Sequence, residues 1–339
     1  VKRKSVKWLE PHLLPRGYLT ILAGRKGRGK TLRALTWVAD LSRGLLNSGR
    51  TPVGDTLYLS AEDTAEDSIM PRYDVVGGDD SRIHLVQGMA TQAEDGERVI
   101  DIWSVEYVAK LEQWLDEFPN TVLVVIDPVS SFMPESRGGR TSENVQVRRA
   151  LRRLVKLAGD RGVAVVLTTH LRKGHEGHAV EQIIDSIAYT ALSRMIIVMD
   201  RDPDDPDNPT KGVIAVADSN LTKERFSFTY RIESVEFDPT VGEQPLLVIG
   251  QNSTVTANEL LSKPKKPEEL ILEGEIEDWV LQQLKDGWVA SNDLYARGKQ
   301  EEYSPNQIRG ALHRVNARKK FEGFGRDGQW GWKHKKKNR

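Results

Sequence analysis

The residues with the clearest chemical capacity are Gly24-Arg25-Lys26-Gly27-Arg28-Gly29-Lys30-Thr31, which fit G-x-x-x-x-G-K-T at every position. Glycines at this spacing let backbone N–H groups close around phosphate oxygens, and a helix that begins at the lysine adds its positive dipole end. Lys30 is placed to reach the β- and γ-phosphates of a nucleotide, and Thr31 to ligate Mg²⁺. Gly24, Gly27, Gly29, Lys30, Thr31 and Leu32 form the expected nucleotide-binding set. The flanks agree. An apolar run, Tyr18 to Ala23, precedes the loop, and Leu32, Leu35, Ala39 and Leu46 follow at helical spacing, so strand, loop and helix come in the required order.

Four further polar positions stand at the ends of apolar runs. Val122-Leu123-Val124-Val125-Ile126 leads into Asp127, the arrangement of a buried strand whose carboxylate holds the water shell of Mg²⁺ opposite a phosphate loop. Leu57-Tyr58-Leu59-Ser60-Ala61 leads into Glu62, a candidate base for the water that attacks a γ-phosphate. The competing role for Glu62 is a helix-capping acid, which Asp63 or Thr64 can fill instead. Val166-Leu167-Thr168-Thr169 leads into His170, placed as a donor near the γ-phosphate. Arg194 precedes the run Met195–Met199 and fits an arginine finger that acts on a neighbouring subunit's nucleotide. His170, His175, His178 and Glu176 lack the H-E-x-x-H spacing of a helical zinc site, and Gly174 and Gly177 favour a mobile basic loop.

The elements that must position these groups are strands and helices in alternation from Trp8 to Ile249. Strand-length apolar runs occur at Thr56–Leu59, Ile83–Val86, Val122–Ile126, Val163–Leu167, Met195–Met199 and Val213–Val216, with amphipathic segments at Val105–Phe118 and Asn144–Asp160. This pattern predicts an α/β fold with a mainly parallel sheet, whose ligands sit at the carboxyl ends of the strands. Met89–Val99 and Arg201–Lys211 read as exposed loops. From Gln251 to Glu269 the composition shifts to Ser, Thr, Lys and Pro, which places a linker at 251–269 between a domain at 1–250 and a second at 270–339.

Composition bounds the rest. The 339 residues carry 49 Lys+Arg and 49 Asp+Glu, so net charge is zero and neither a global polyanion binder nor a disordered acidic chain is implied. The charge is unevenly distributed, however: Ser304 to Arg339 holds eleven Lys/Arg against two acids, the footprint of a polyanion partner. With no cysteine, disulfides and thiolate metal sites are excluded, and a reducing compartment, the cytoplasm, is expected. No run approaches a membrane span of about 20 apolar residues, and Val1-Lys2-Arg3-Lys4 is not followed by a signal-like apolar stretch, so neither membrane insertion nor secretion is expected.

The ordered set GRKGRGKT, LYLSAED, MPRY, VLVVIDPVSSF, VVLTTHLRKG, DSIAYTALSR and ADSNL resembles the RepA-like ATPases, helicase relatives within the wider RecA/DnaB group. The resemblance covers residues from about Trp8 to Ile249. It implies a RecA-like core in a ring-forming, often hexameric ATP-driven motor, with Lys30 and Thr31 at the nucleotide, Asp127 at Mg²⁺, Glu62 as base, His170 as γ-phosphate sensor and Arg194 as finger. It also implies that loops after Asp127 and His170 face a channel for single-stranded DNA; here they hold Arg137, Arg140, Arg172 and Lys173, suited to a phosphate backbone. Lys26 lies four residues before Lys30, not five, and so does not match the extra lysine of ParA-type loops. One departure from the family pattern matters. Asp218 precedes Ser219-Asn220 where many relatives carry a lysine, which leaves Lys223 or Arg225 as substitutes for a second cationic finger.

The C-terminal part reads as three helices and a hairpin. Glu275–Lys285 is amphipathic, Ser291-Asn292-Asp293-Leu294 and Ser304-Pro305-Asn306-Gln307-Ile308 are helix starts, and Phe321 to Trp332 has a strand-turn-strand pattern. Together they resemble a winged helix-turn-helix, which implies duplex DNA binding, with Gln307, Arg309, Arg314 and Lys319 as expected contacts; a protein-docking module with a solvated basic face is the competing reading. For the whole chain three functions are compatible with the residues: an ATP-driven DNA helicase, an ATP-switched DNA-binding initiator or regulator without unwinding, and a small-molecule P-loop kinase. The last has no use for the basic tail or for Arg194.

Overall fold

The structure, a computed structural model, describes residues 5–87, 91–92, 98–99, 105–132, 139–172, 177–183, 186–262, 267–323 and 328–334. The chain divides into two compact units, Val1–Ser262 and Lys263–Arg339.

The first unit is organised on a nine-stranded sheet. Its strands are β1 (Leu19–Gly24), β2 (Asp55–Ser60), β3 (Ile83–Gln87), β4 (Thr121–Asp127), β5 (Ala164–Thr169), β6 (Met195–Arg201), β7 (Lys211–Ser219), β8 (Ser227–Asp238) and β9 (Gly242–Asn252). Their spatial order is β9-β8-β7-β6-β1-β5-β4-β2-β3. From β6 to β3 every pairing is parallel, and β7, β8 and β9 extend the β6 side in antiparallel fashion.

The central strands are apolar throughout because both faces are covered. Along β1, Leu19, Ile21 and Ala23 meet one core, which α2 (Val105–Glu117) and α3 (Gly139–Arg161) complete with Val108, Leu111, Leu115, Leu151 and Leu154. Leu22 points to the opposite core, where α1 (Lys30–Ser42) contributes Leu32, Leu35, Val38 and Leu41. Each fully buried side chain of this size contributes about 1.5–3 kcal/mol, so the sheet that carries the strand-end residues is a rigid platform.

Two sequence expectations need correction here. The antiparallel β8–β9 hairpin is an addition to the expected strands: β8 alternates apolar and polar residues through Phe228, Tyr230 and Ile232, and the short apolar run of β9, Leu246–Ile249, follows Pro245. The segment read as the start of the linker is partly folded onto the first unit. Gln251 and Asn252 end β9, and a short helix at Ala257–Leu261 follows, closed by reciprocal Thr256 and Glu259 capping, with Ala257, Leu260 and Leu261 buried.

The second unit contains α4 (Pro267–Gln283), β10 (Val289–Ala290), α5 (Ser291–Gln300), α6 (Pro305–Arg314), β11 (Arg318–Glu322) and β12 (Gln329–Lys333). Ile276, Val280, Leu284, Leu294, Ile308, Leu312 and Trp332 form its own core. The three strands make an antiparallel sheet in the order β10-β12-β11. Ser304 caps α6 as expected, with Pro305 in the first turn. Ser291 does not cap α5: the helix starts directly from β10, where Ala290 pairs with Gly331, and no side-chain cap is made. Among the described residues, no helix is long and apolar enough to cross a membrane.

Candidate active site

Strands β1, β5, β4 and β2 are parallel neighbours, so their carboxyl ends open on one edge of the sheet. β1 delivers the phosphate loop to this edge, β4 delivers Asp127, β2 leads to Glu62 and β5 leads to His170. The loop needs its glycines. A Cβ at Gly24 would lie 2.7 Å from the Met199 carbonyl oxygen, and Gly29 has a left-handed φ of 81° with Ile232 and Leu247 methyl groups 3.2 Å from where its Cβ would be. Gly29 is followed directly by α1, whose first turn has neither a side-chain cap nor an acid. The N–H groups of that turn lack intrahelical partners, so the loop and helix start fit the phosphates of a nucleotide.

Lys30 is 8% exposed. Its Nζ donates to the carbonyls of Gly24 at 3.0 Å and Arg25 at 3.2 Å and lies 3.4 Å from His170 Nδ1. Burial lowers the lysine pKa, against the pull of Asp127 and Glu62. Burial first, and the Lys30 charge second, hold His170 below the ordinary histidine range, so its imidazole is neutral at neutral pH. Asp127 is equally buried and accepts two internal hydrogen bonds: Tyr58 Oη donates to Oδ2 at 2.8 Å, and Thr168 Oγ1 donates to Oδ1. These bonds fix the carboxylate rotamer. Burial and the neighbouring carboxylate raise Tyr58 well above its ordinary pKa, so it remains a donor. Glu62 is exposed, and Ser131 Oγ donates to its Oε1 at 3.4 Å. Thr31 and Asp127 supply the hydroxyl and carboxylate expected of a Mg²⁺ site beside a phosphate loop. No cluster of three or more His, Cys, Asp or Glu able to hold a metal ion occurs among the described residues.

Several contributors were missed in the sequence. Asp200, at the end of β6, is 3% exposed, pairs with Arg25 and lies 3.4 Å from Arg28 Nε, tying the variable positions of the loop to the sheet. Tyr230 Oη donates to the Arg28 carbonyl at 2.8 Å. Asp200 follows an apolar run just as Asp127 does, so a signal for it was present. Tyr58 and Thr168 had none, because they lie inside strands and only the parallel register brings them to Asp127.

Arg194 does not join this cluster. Its backbone N donates to the Leu19 carbonyl at 3.0 Å, at the start of β1, whereas the phosphate loop leaves from the other end. At about 3.3 Å per residue the two ends of β1 are roughly 16 Å apart, beyond the reach of an arginine side chain. Arg194 lines a groove of about 1070 Å³ there with Lys7, Arg16, Asp160 and Arg161. The same edge holds Arg225, whose Nη2 donates to Asp218 Oδ1 at 3.0 Å, while Lys223 is exposed. Of the expected channel residues, Arg172 is exposed just after β5; Arg137, Lys173 and the side chain of Arg140 lie outside the described residues.

In the second unit, two expected DNA contacts are engaged internally. Gln307 Oε1 accepts from the Ser304 N–H at 2.8 Å, completing the cap of α6, and Arg314 is ion-paired with Glu277 and Glu273 on α4. Arg309 and Lys319 are exposed.

A phosphate loop, a strand-end aspartate and a largely parallel RecA-like sheet define a P-loop ATPase. The chain belongs to the AAA domain family, whose model matches residues 1–176 and therefore spans Lys30, Glu62, Asp127 and His170 but not Arg194. In fold it is similar to a KaiC-like protein from the hyperthermophilic archaeon Pyrococcus horikoshii, with a TM-score of 0.50 at 16% identity over 73% of this chain and 100% of that one. No curated protein matches the chain in sequence.

Proposed function

We propose that the protein is an ATP-driven DNA motor, a RepA-like replicative helicase that works as a ring on single-stranded DNA and uses a C-terminal winged helix to reach duplex or origin DNA. In this reading Lys30 turns from the loop carbonyls to the β- and γ-phosphates, Glu62 takes the proton of the attacking water, and neutral His170 donates to the γ-phosphate. Thr31 and Asp127 would hold Mg²⁺, which would supply charge neutralisation at the transferred phosphate.

The observation that carries the ring is the separation of Arg194 from the phosphate loop. A finger on the opposite edge of its own sheet is useless in cis and well placed in trans, and the cations of the groove around it suit a neighbour's triphosphate. Mixing two inactive chains tests this: Lys30→Ala supplies Arg194, Arg194→Ala supplies an intact phosphate loop, and their mixture regains ATP hydrolysis. Failure to regain activity, with each variant folded, removes the trans finger. Strand displacement from a forked duplex then separates the helicase from a regulator that assembles on DNA without unwinding it.

A further inference from the structure

The second unit carries an aromatic surface that its own core does not use. In the β11–β12 hairpin, Lys319 pairs with Trp332 and Phe321 with Trp330, so these four side chains share one face. Trp332 is buried in the helical core, at 7% exposed, and there the core ends. Two residues further along the hairpin, Trp330 is 54% and Phe321 43% exposed. Their rings meet edge to face, 5.3 Å between centroids at 65°, and Lys319 Nζ sits 5.4 Å from the Trp330 ring. The opposite face carries exposed Arg318, Lys320 and Lys333. Lys320 is paired with Glu322, but Arg318 and Lys333 stand directly across from each other in register, and neither has an ion pair among the described residues. Like charges in that relation destabilise a hairpin unless an anion is shared between them.

We propose that this hairpin is a stacking site for single-stranded nucleic acid, with Trp330 and Phe321 receiving unpaired bases and Arg318, Lys319 and Lys333 receiving the backbone. The pattern selects this partner over two others. A duplex hides the π-faces of its bases and leaves the exposed rings nothing to stack on, whereas an unpaired strand presents them. A protein interface core is depleted in lysine, and here Lys319 sits against the Trp330 ring while further cations line the other face of the same hairpin. The site is independent of the motor reading of the first unit, and it differs from docking a helix in a major groove.

The test uses the full chain without nucleotide and an oligothymidylate containing 5-iododeoxyuridine, which forms photo-adducts with stacked aromatic side chains. The adduct maps to Trp330 or Phe321, is suppressed by unlabelled oligothymidylate and not by a blunt duplex, and is unchanged in Lys30→Ala. Trp330→Ala lowers the hairpin's affinity for the strand by about 5- to 150-fold, seen as a matching rise in the oligonucleotide concentration that half-saturates the Phe321 adduct. Trp330→Phe, which keeps a stacking ring, restores it. Adducts confined to residues outside Arg318–Lys333 overturn the proposal, as does equal competition by duplex; both outcomes are read on the unmutated chain and leave the ATPase measurements untouched.

Discussion

His170 Nδ1 lies 3.4 Å from Lys30 Nζ, which puts the expected γ-phosphate sensor in contact with the lysine of the phosphate loop. Burial, and after it the neighbouring Lys30 ammonium, disfavour a cationic imidazole, so the histidine pKa is depressed below its ordinary 6.5. The unfolded chain therefore binds this proton more readily than the folded one. Stability contributed by neutral His170 is present above about 6.5 and is lost as pH falls below it. Thermal midpoints measured across this range should drop on acidification, and His170→Gln should flatten that drop; an unchanged slope contradicts the assigned contact.

Lys30 is strained in the same sense. Its folded pKa is lowered chiefly by burial, so at neutral pH the charged form costs stability that the unfolded chain does not lose. Lys30→Met, which keeps the stem and removes the charge, is expected to raise the midpoint by a few degrees in the absence of nucleotide and to abolish the further rise that ATP produces. Calorimetry with and without ATP reads both effects.

Tyr58 acts through Asp127. Tyr58→Phe removes the 2.8 Å bond to Oδ2, leaving Thr168 as the remaining side-chain donor recorded for that carboxylate. The expected result is a weaker Mg²⁺ dependence curve, half-saturating at higher metal, with turnover reduced on the order of tenfold, or about 1.4 kcal/mol of barrier. A purely structural tyrosine would lower the thermal midpoint and leave the Mg²⁺ requirement where it was.

Glu62→Gln separates binding from chemistry. The variant is expected to bind ATP normally and to lose about 10²- to 10⁴-fold in turnover, the usual contribution of a positioned base. Normal turnover moves the base elsewhere and leaves Glu62 with its contact to Ser131.

How much of this was readable from the chain depends on the range of the interactions. Gly24 to Thr31 is a local pattern whose flanks already state strand and helix, and Asp127, Glu62 and His170 are strand-end residues in a fold that gathers strand ends. Asp200 carries the same pattern, a carboxylate at the end of the apolar run of β6. Tyr58 and Thr168 became visible only through register, which no linear pattern states. Likewise, Gln251–Ser262 has the composition of a linker, and what folds it is long-range: Leu260 and Leu261 find the core of the first unit. In the second unit the cap made by Gln307 and the ion pairs made by Arg314 were not legible, since a polar residue on a helix is equally suited to cap it, to pair with a neighbouring helix or to meet DNA.

The most direct test of the central reading is ATP hydrolysis by the intact chain and by a form ending at Ser262, each with and without single-stranded DNA. The account predicts that DNA stimulates turnover in both, because in the proposed motor the DNA contact that drives hydrolysis belongs to the first unit. Hydrolysis that is indifferent to DNA, or stimulation that disappears with the second unit, contradicts the motor and leaves an ATPase whose DNA contact lies in the C-terminal unit alone.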